Sequence, residues 1–144
     1  MPMDKQLFGS IETRQGKATA MLCSDDDRPE DIMLHWWGAG NQSAPVAVWA
    51  RRAAQRANVA EFQAVKLFSH DERGQVIEPS VDENTRRLML STRASLKTTR
   101  SGISGTWQDA DGFGGKISLK PLTSRGGVTD VHQCASWDEF KQWA

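Results

Sequence analysis

Apolar and polar residues alternate in two segments near the beginning of the chain. Residues 7–13 and 17–23 each place an apolar or small residue at every second position. A period of two residues is typical of a β-strand that buries one face. The Arg-Gln-Gly sequence between them provides the glycine that favours a tight turn. The pattern therefore predicts an antiparallel β-hairpin.

Further short strands are predicted along much of the remaining chain. Residues 32–37 form a denser apolar run, which indicates a buried third strand. Later candidates, separated by charged or glycine-containing turns, cover residues 64–69, 75–78, 86–92, 96–100, 103–108, 116–119 and 128–134. Short strands at regular intervals favour an antiparallel barrel or sandwich. We expect a mainly β fold, a β-rich α+β domain that forms a partly open barrel or a sandwich.

One segment predicts a helix that packs on this sheet. Residues 44–60 carry apolar residues at helical spacing: Val46, Trp49, Ala50, Ala53, Ala57 and Ala60. Arginine and glutamine residues fall on the opposite side of that helix. Ser43 can cap its N-terminus, and Pro45 fits its first turn. Residues 79–85 are predicted as a polar loop.

The last residues of the chain predict the first two turns of another helix. Ser136 is a good N-cap and Glu139 stands at the capping-box spacing from it. Trp137, Phe140 and Trp143 recur near one face. A helix this short is marginal alone, so its aromatic side chains are expected to pack on something else. We expect a domain over residues 1–134, followed by residues 135–144 as the truncated start of a further helix or domain.

Charge and composition exclude several classes of protein. The chain has 18 basic and 18 acidic residues, so no net charge attracts nucleic acid or a membrane. No apolar run is long enough to span a bilayer, and the first ten residues lack a secretory h-region. These features predict a cytoplasmic protein. Cys23 and Cys134 match no ligand motif; two buried free thiols are expected, with a disulfide as the alternative.

No motif in the sequence predicts catalysis. The histidines, at positions 35, 70 and 132, are far apart, and no cysteine or histidine pair has the spacing of a zinc site. The glycines at 112–115 are not followed by a helix, which a phosphate-binding loop requires. The sequence therefore predicts no catalytic residue, no metal site and no cofactor, and an enzyme is the least favoured class.

Arginine and tryptophan residues are the candidate binding groups. Arg51, Arg52 and Arg56 form one face of the predicted helix, and further basic residues follow at positions 86, 87, 93, 97 and 100. With Trp36 or Trp37 stacking on bases, this set could bind single-stranded nucleic acid. The alternative, favoured by the zero net charge, is that these residues are ordinary solvated surface.

Gly105-Thr106-Trp107 resembles a signature of two barrel families. A Gly-x-Trp on a strand is similar to the lipocalins, and the fuller Gly-Thr-Trp is similar to avidin. In those families the motif lies on the first strand, whereas here it follows several predicted strands. The resemblance implies that Trp107 closes or lines a small barrel. A ligand-binding version would have an interior cavity lined by Trp36, Trp107 and Leu90.

Residues 134–140, Cys-Ala-Ser-Trp-Asp-Glu-Phe, resemble the entry segment of FRG-domain proteins, which are bacterial proteins named for a Phe-Arg-Gly motif. Many of these carry a small β-rich domain whose final hairpin has a Gly-x-Trp and further glycines, as residues 105–115 do here. The Phe-Arg-Gly motif itself is absent from this sequence. The resemblance implies an N-terminal accessory domain of a longer cytoplasmic bacterial protein.

The leading hypothesis is a non-enzymatic ligand-binding or protein-interaction domain. Its partner would be a downstream domain of the same chain or another protein. The alternatives are a small-ligand barrel of lipocalin-like or avidin-like kind, and a nucleic-acid-binding module that uses an arginine-rich helix face.

Overall fold

The computed structural model describes residues 5–25, 27–40, 45–70 and 76–121. These residues form nine strands and one helix: β1 (Lys5–Thr13), β2 (Gly16–Ser24), β3 (Asp31–Trp37), β4 (Val46–Arg56), β5 (Val59–His70), β6 (Val76–Ile77), α1 (Glu83–Leu90), β7 (Arg93–Thr99), β8 (Gly102–Gln108) and β9 (Gly114–Pro121). The predicted strand at 128–134 and the predicted helix at 136–144 lie outside the described residues.

Eight of the strands close into an antiparallel barrel. From β1 to β5, and then through β7, β8 and β9, each strand pairs with the next one. The ring closes where β9 pairs with β1, with Ile117 opposite Ile11. The short strand β6 pairs with the end of β5. The prediction of a mainly β antiparallel fold is confirmed, and the structure is a closed barrel rather than a sandwich.

The prediction of a helix at residues 44–60 is wrong, because residues 46–60 form the hairpin between β4 and β5. Ala57, in the left-handed region at φ 49°, turns the chain between the two strands. Two register shifts, at Trp49/Ala50 and Arg52/Ala54, interrupt the period of two along β4. In addition, Ala47–Ala50 are buried on both faces of the sheet. An apolar run without alternation cannot be distinguished from a helix by its spacing.

The helix of the described residues lies instead at α1, where the sequence predicted a loop and a strand. Asp82 caps it, because its carboxylate accepts the backbone N–H of Thr85 at 2.7 Å. This hydrogen bond lowers the pKa of Asp82 below its ordinary value. Leu88 and Leu90, whose spacing of two residues is also typical of a strand, are both half-buried on the helix. The helix packs beside β5.

Side chains from all eight barrel strands meet in one interior cluster. Its buried members are Ile11, Ala18, Ala20, Leu22, Ile32, Ala39, Ala50, Phe62, Leu96, Ile117 and Leu119, and Trp36, Ile103 and Trp107 pack against it. Only the inside of the barrel can bring these strands together, so these positions define its inward face. Alternation then assigns the neighbouring residues to the outward face.

A second apolar cluster lies on the outside of the barrel, and we call it the outer cluster. It contains Met21, Cys23, Met33, Ala47, Trp49, Phe68 and Val76, with Phe8 and Trp37 packed against it. Apart from Val76 of β6, its members stand on β1–β5, at positions that alternate with the interior cluster. Met21, Cys23, Met33, Ala47 and Phe68 have no exposed surface although they face outward.

Glycines allow the opposite side of the barrel to coil tightly. A Cβ atom at Gly9 would collide with the Ser118 carbonyl oxygen, and one at Gly105 would collide with that of Ser95. Strands β1 and β9, and likewise β7 and β8, therefore approach each other more closely than a side chain permits. Such glycines are typical of points where a sheet bends to close a small barrel.

Cys23 is not the free thiol that the sequence predicted, because its sulfur takes part in a disulfide. The sequence contains one other cysteine, Cys134, which lies outside the described residues. Disulfides persist mainly in oxidising compartments. The cytoplasmic location therefore remains a prediction, and the disulfide at Cys23 argues against it.

Candidate binding surfaces

Trp107 closes one end of the barrel, the end that carries the β1–β2 and β8–β9 turns. Its indole Nε1 donates to the Glu12 carbonyl oxygen at 2.6 Å, which fixes the ring against β1. Phe113 packs on it with ring centroids 5.7 Å apart. The Arg14 guanidinium lies 4.8 Å from the Phe113 ring centre and pairs with Asp109 at 2.9 Å. These contacts join the two turns and block this end of the barrel.

The barrel interior is filled by the protein's own side chains. Ala20, Leu96 and Leu119 keep 0%, 3% and 1% of their surface accessible to a water-sized sphere. A chamber large enough for a small ligand would leave accessible surface on such residues. Trp36 is half-buried against the interior cluster, whereas Leu90 stands on α1 and not on a barrel strand. The described interior therefore shows packing rather than a pocket.

The three arginines predicted to share a helix face do not share a face of β4. Consecutive strand residues point to opposite sides, so Arg51 and Arg52 diverge. Arg52 stands opposite the inward-facing Phe62, and its guanidinium donates to Gln55 at 3.3 Å. Arg56 is exposed at the end of the strand. The arginine-rich helix surface of the nucleic-acid hypothesis does not exist.

Arg51 belongs to a charged cluster at the edge of the outer cluster. The buried Asp31 carboxylate accepts from Trp49 Nε1 at 2.9 Å, from Arg51 Nε at 3.1 Å and from Arg28 Nη2 at 3.0 Å. The Arg28 and Arg51 guanidiniums lie 5.8 and 5.4 Å from the Trp49 ring centre. Burial raises the pKa of Asp31, but the three hydrogen bonds outweigh it and hold the pKa below its ordinary value.

The charged groups of this cluster bind one another, with two guanidiniums around one carboxylate. Both guanidiniums bind Asp31 and lie against the tryptophan ring, and the one carboxylate offsets one of their two positive charges. Asp31 and Arg51 are direct partners in the β3–β4 register. Sequence reasoning singled out Arg51 but missed Asp31, because their pairing depends on that register. Trp37 packs on the outer cluster and is half-buried.

The outward side of β7, β8 and β9 has a different character. Its outward side chains are small hydroxyl residues, one glutamine and the basic residues Arg93, Lys97, Lys116 and Lys120, with Arg100 in the connecting turn. We call these five basic residues and the hydroxyl residues between them the basic face. Residues 93–108 and 114–121 contain no acidic residue. All five basic residues are exposed.

Acidic residues border the basic face without neutralising it. Glu12, on the neighbouring strand β1, accepts the Lys116 backbone N–H at 2.8 Å rather than pairing with an ammonium. Glu61 stands opposite Ser95 on the other side. Among the described residues, ion pairs involve Arg14, Arg28 and Arg51, and none involves the basic face. The face therefore presents uncompensated positive charge.

A cleft of about 380 Å³ lies between α1 and the β8–β9 turn, and is lined by Gln63, Ser91, Arg93, Gln108, Asp109 and Ala110. Its polar groups largely bond to one another. Arg93 Nε donates to Gln63 Oε1 at 2.9 Å, and the Ala110 N–H donates to Ser91 Oγ at 3.0 Å. These bonds attach α1 to the barrel and bring Arg93 to the border of the basic face.

Within the described ranges, no group of three or more metal-ligating side chains could hold a metal ion. In the same part of the chain, no helix has the length and apolar character needed to cross a membrane. Comparison of the chain with protein-family models, with curated proteins and with solved structures gives no match. The strand order and the buried side chains of the described residues define the class of fold: a closed eight-stranded up-and-down barrel with a filled interior.

Proposed function

We propose that this barrel is a non-enzymatic interaction module that binds an acidic segment of a protein partner through the basic face. The observation that carries the proposal is the separation of charge. The chain is neutral overall, yet the outward positions of β7, β8 and β9 and the β7–β8 turn carry five basic residues and no acidic one. The nearest acidic residues along the chain, Asp109 and Asp111, lie in the β8–β9 turn. Complementary charge steers such partners together and fixes their orientation.

The geometry of the basic face suits an extended acidic chain. Neighbouring strands lie about 4.8 Å apart, so Lys97 on β7 and the lysines on β9 are separated by about 10 Å across the sheet. Ser104, Thr106 and Ser118 lie between them and can donate hydrogen bonds to carboxylates. A peptide crossing the strands would meet a lysine at each side and hydroxyl groups in the middle.

The same face lacks a feature that single-stranded nucleic acid uses. Binding of that polymer combines basic residues with aromatic side chains on which bases stack. None of the outward positions of β7, β8 and β9 is aromatic. An acidic protein segment, recognised by charge and hydrogen bonds alone, fits the surface better. The resemblance of residues 134–140 to FRG-domain proteins supports a partner within a longer bacterial protein.

A binding titration tests this proposal. A fluorescein-labelled oligoglutamate peptide should bind the protein saturably, and the affinity should fall as salt is raised. The triple variant Lys97→Ala, Lys116→Ala, Lys120→Ala should weaken binding by about tenfold. The matched control removes three basic residues of β5 and α1, away from the basic face: Lys66→Ala, Arg86→Ala, Arg87→Ala. Equal losses in both variants would show nonspecific attraction and overturn the proposal, as would tighter binding of labelled oligothymidylate.

A second candidate is a small-ligand barrel of lipocalin-like or avidin-like kind, which the closed up-and-down topology favours. The filled interior counts against it. Titration with retinol and with biotin decides between the two functions. Saturable, equimolar binding that is lost in Trp36→Ala and kept in the Lys97 triple variant would establish an interior ligand.

A further inference from the structure

The hairpin of β4 and β5 extends beyond the strand that lies on its other side. Strand β3 pairs with β4 only as far as Arg51, and the Arg52 N–H then donates to the Glu30 carbonyl oxygen at 2.7 Å. The pairing of β4 with β5 continues to Arg56. Among the described residues, the stretch 53–56 therefore has a neighbouring strand on one side only. It forms a short free edge at one end of the barrel.

The backbone groups of Gln55 point toward this free edge. The Asn58 carbonyl oxygen accepts the Thr98 N–H of β7 at 2.8 Å, so the backbone of Asn58 is directed toward β7. Because successive residues of a strand alternate in direction, the backbone of Val59 is directed toward β4. Its partner Arg56 is bonded to β5, and the neighbouring Gln55 directs its N–H and C=O away from β5. An extended chain alongside β4 can bond to both groups.

The free edge is held in an extended form and lacks the usual protection against pairing. The Asn58 Nδ2 donates to the Thr98 carbonyl oxygen at 3.2 Å, which fixes the tip of the hairpin against β7. Past the register shift at Arg52/Ala54, pairing with β5 is regular. Exposed edges are commonly guarded by lysine or proline, whereas residues 53–55 are Ala-Ala-Gln and exposed. Four residues extend about 13 Å, which is enough for a short added strand.

Charge indicates which kind of chain fits this edge. Arg56 and Lys97 stand opposite the same residue of β5, one on each side, so both face outward about 10 Å apart. Among the described residues, Arg56 takes part in no ion pair, and Glu61 of β5 does not neutralise it. A second copy that paired antiparallel about Ala54 would place Arg52 opposite Arg56, and like charges at opposite positions destabilise a sheet. An acidic strand suits the edge better.

We propose that residues 53–56 bind an extended acidic segment of a partner protein as an added β-strand, with a carboxylate beside Arg56. Strand addition of this kind draws its affinity from main-chain hydrogen bonds, and the side chains alongside select the partner. The proposal goes beyond the basic face, because the contacts lie along a strand edge, and it holds whether or not the basic face binds a partner.

Hydrogen exchange of the full chain, measured by NMR, tests the added strand. The probe is a capped peptide of alternating glutamate and valine, which at saturation should slow exchange of the Gln55 N–H by about tenfold. The same peptide with every amide N-methylated keeps its charges but has no donors, and it should leave this exchange rate unchanged. Oligoglutamate bound on the basic face should also leave it unchanged. Equal protection by the methylated peptide would overturn the proposal.

A pair of variants at one position separates the backbone from the side chain. Gln55→Pro removes the N–H at the free edge without removing a bond to β5, and should weaken binding of the glutamate–valine peptide by about tenfold. Gln55→Ala is the matched control: it loses the side-chain bonds to Arg52 and Ala57 but keeps the N–H, and should bind as the wild type does. Circular dichroism checks that both variants fold. Equal affinity of the two variants would overturn the added strand.

The charge of the occupant is tested separately. Arg56→Ala should weaken binding of the glutamate–valine peptide by about threefold. A lysine–valine peptide of the same length should bind more weakly than the glutamate–valine peptide, and equal binding of the two would overturn the acidic partner. Dimerisation of the wild-type chain that is lost in Gln55→Pro would assign the edge to a second copy, and would overturn it as well.

Discussion

The outer cluster and the basic face occupy the outside of one barrel and differ in almost every respect. Along β2 and β3 the outward positions carry methionine, cysteine and tryptophan, and several are fully buried. Along β8 and β9 they carry serine, threonine and lysine and are exposed. Both sets alternate with the same interior cluster. The comparison shows that the period of two residues locates the interior. The chemistry of the outward residues then distinguishes the buried side of the barrel from the exposed side.

The largest expected effect is a loss of stability at Met33, and it tests directly whether the two faces differ. Met33→Ala should lower the free energy of unfolding by about 2–5 kcal/mol, because a fully buried side chain is removed and a cavity remains. Ser118→Ala, at an outward position of β9, should change it by no more than about 0.5 kcal/mol. Urea unfolding followed by circular dichroism measures both. Similar losses at the two sites would mean that the faces are not distinct.

An intermediate effect is expected at Asp31, where the outer cluster meets the charged residues. Asp31→Asn should lower the free energy of unfolding at pH 7 by about 1–3 kcal/mol, since Arg28 and Arg51 lose their charged partner. The same variant removes a pH dependence. The Asp31 pKa is lower in the folded chain than its ordinary 3.8, so the carboxylate stabilises the fold fully well above that value.

This stabilisation is lost as the pH falls below 3.8 and through the lower folded pKa of Asp31. Unfolding measured from pH 7 to pH 2 should therefore show the difference between wild type and Asp31→Asn shrinking in acid. A difference that stays constant over this range would show that Asp31 acts through its shape and not through its charge. Asp111→Asn, at an exposed carboxylate, is the matched control.

The smallest effect concerns α1, which lies outside both faces. Asp82→Ala removes the cap and should lower the melting temperature slightly, whereas Asp82→Ser should restore it. Hydrogen exchange should show faster opening of residues 83–90 and unchanged protection of the barrel strands. Loss of protection in β2 or β3 would mean that the helix supports the outer cluster.

The sequence predicts the fold best where one face of a strand is polar. The β1–β2 hairpin and the strands around Trp107 alternate clearly, and the structure confirms them. The prediction from sequence fails at β4. Residues 47–50 are apolar on both faces of the strand, and the two register shifts remove the remaining period of two residues. It also fails at α1, where an eight-residue helix is too short to establish a period of its own, although Asp82 and Thr85 mark the cap.

The surfaces are less predictable than the strands, because they depend on register. Arg51 meets Asp31 only through the β3–β4 pairing, and Lys97, Lys116 and Lys120 share one face only through two further pairings. Positions 86 and 87, grouped with them by sequence, stand on α1. A list of basic residues therefore gives the amount of charge, while strand order gives its distribution.

Closure between β1 and β9 also sets the order of events during synthesis. Ile11 of β1 leaves the ribosome 106 residues before its partner Ile117 of β9 (117 − 11). Until then both β1 and the newest strand expose unpaired backbone groups, which are sites for aggregation. Contacts this distant along the chain are typical of slow folding. Until β9 is made, the nascent barrel is therefore an open sheet, and the pairing of β9 with β1 removes both of its edges in one step.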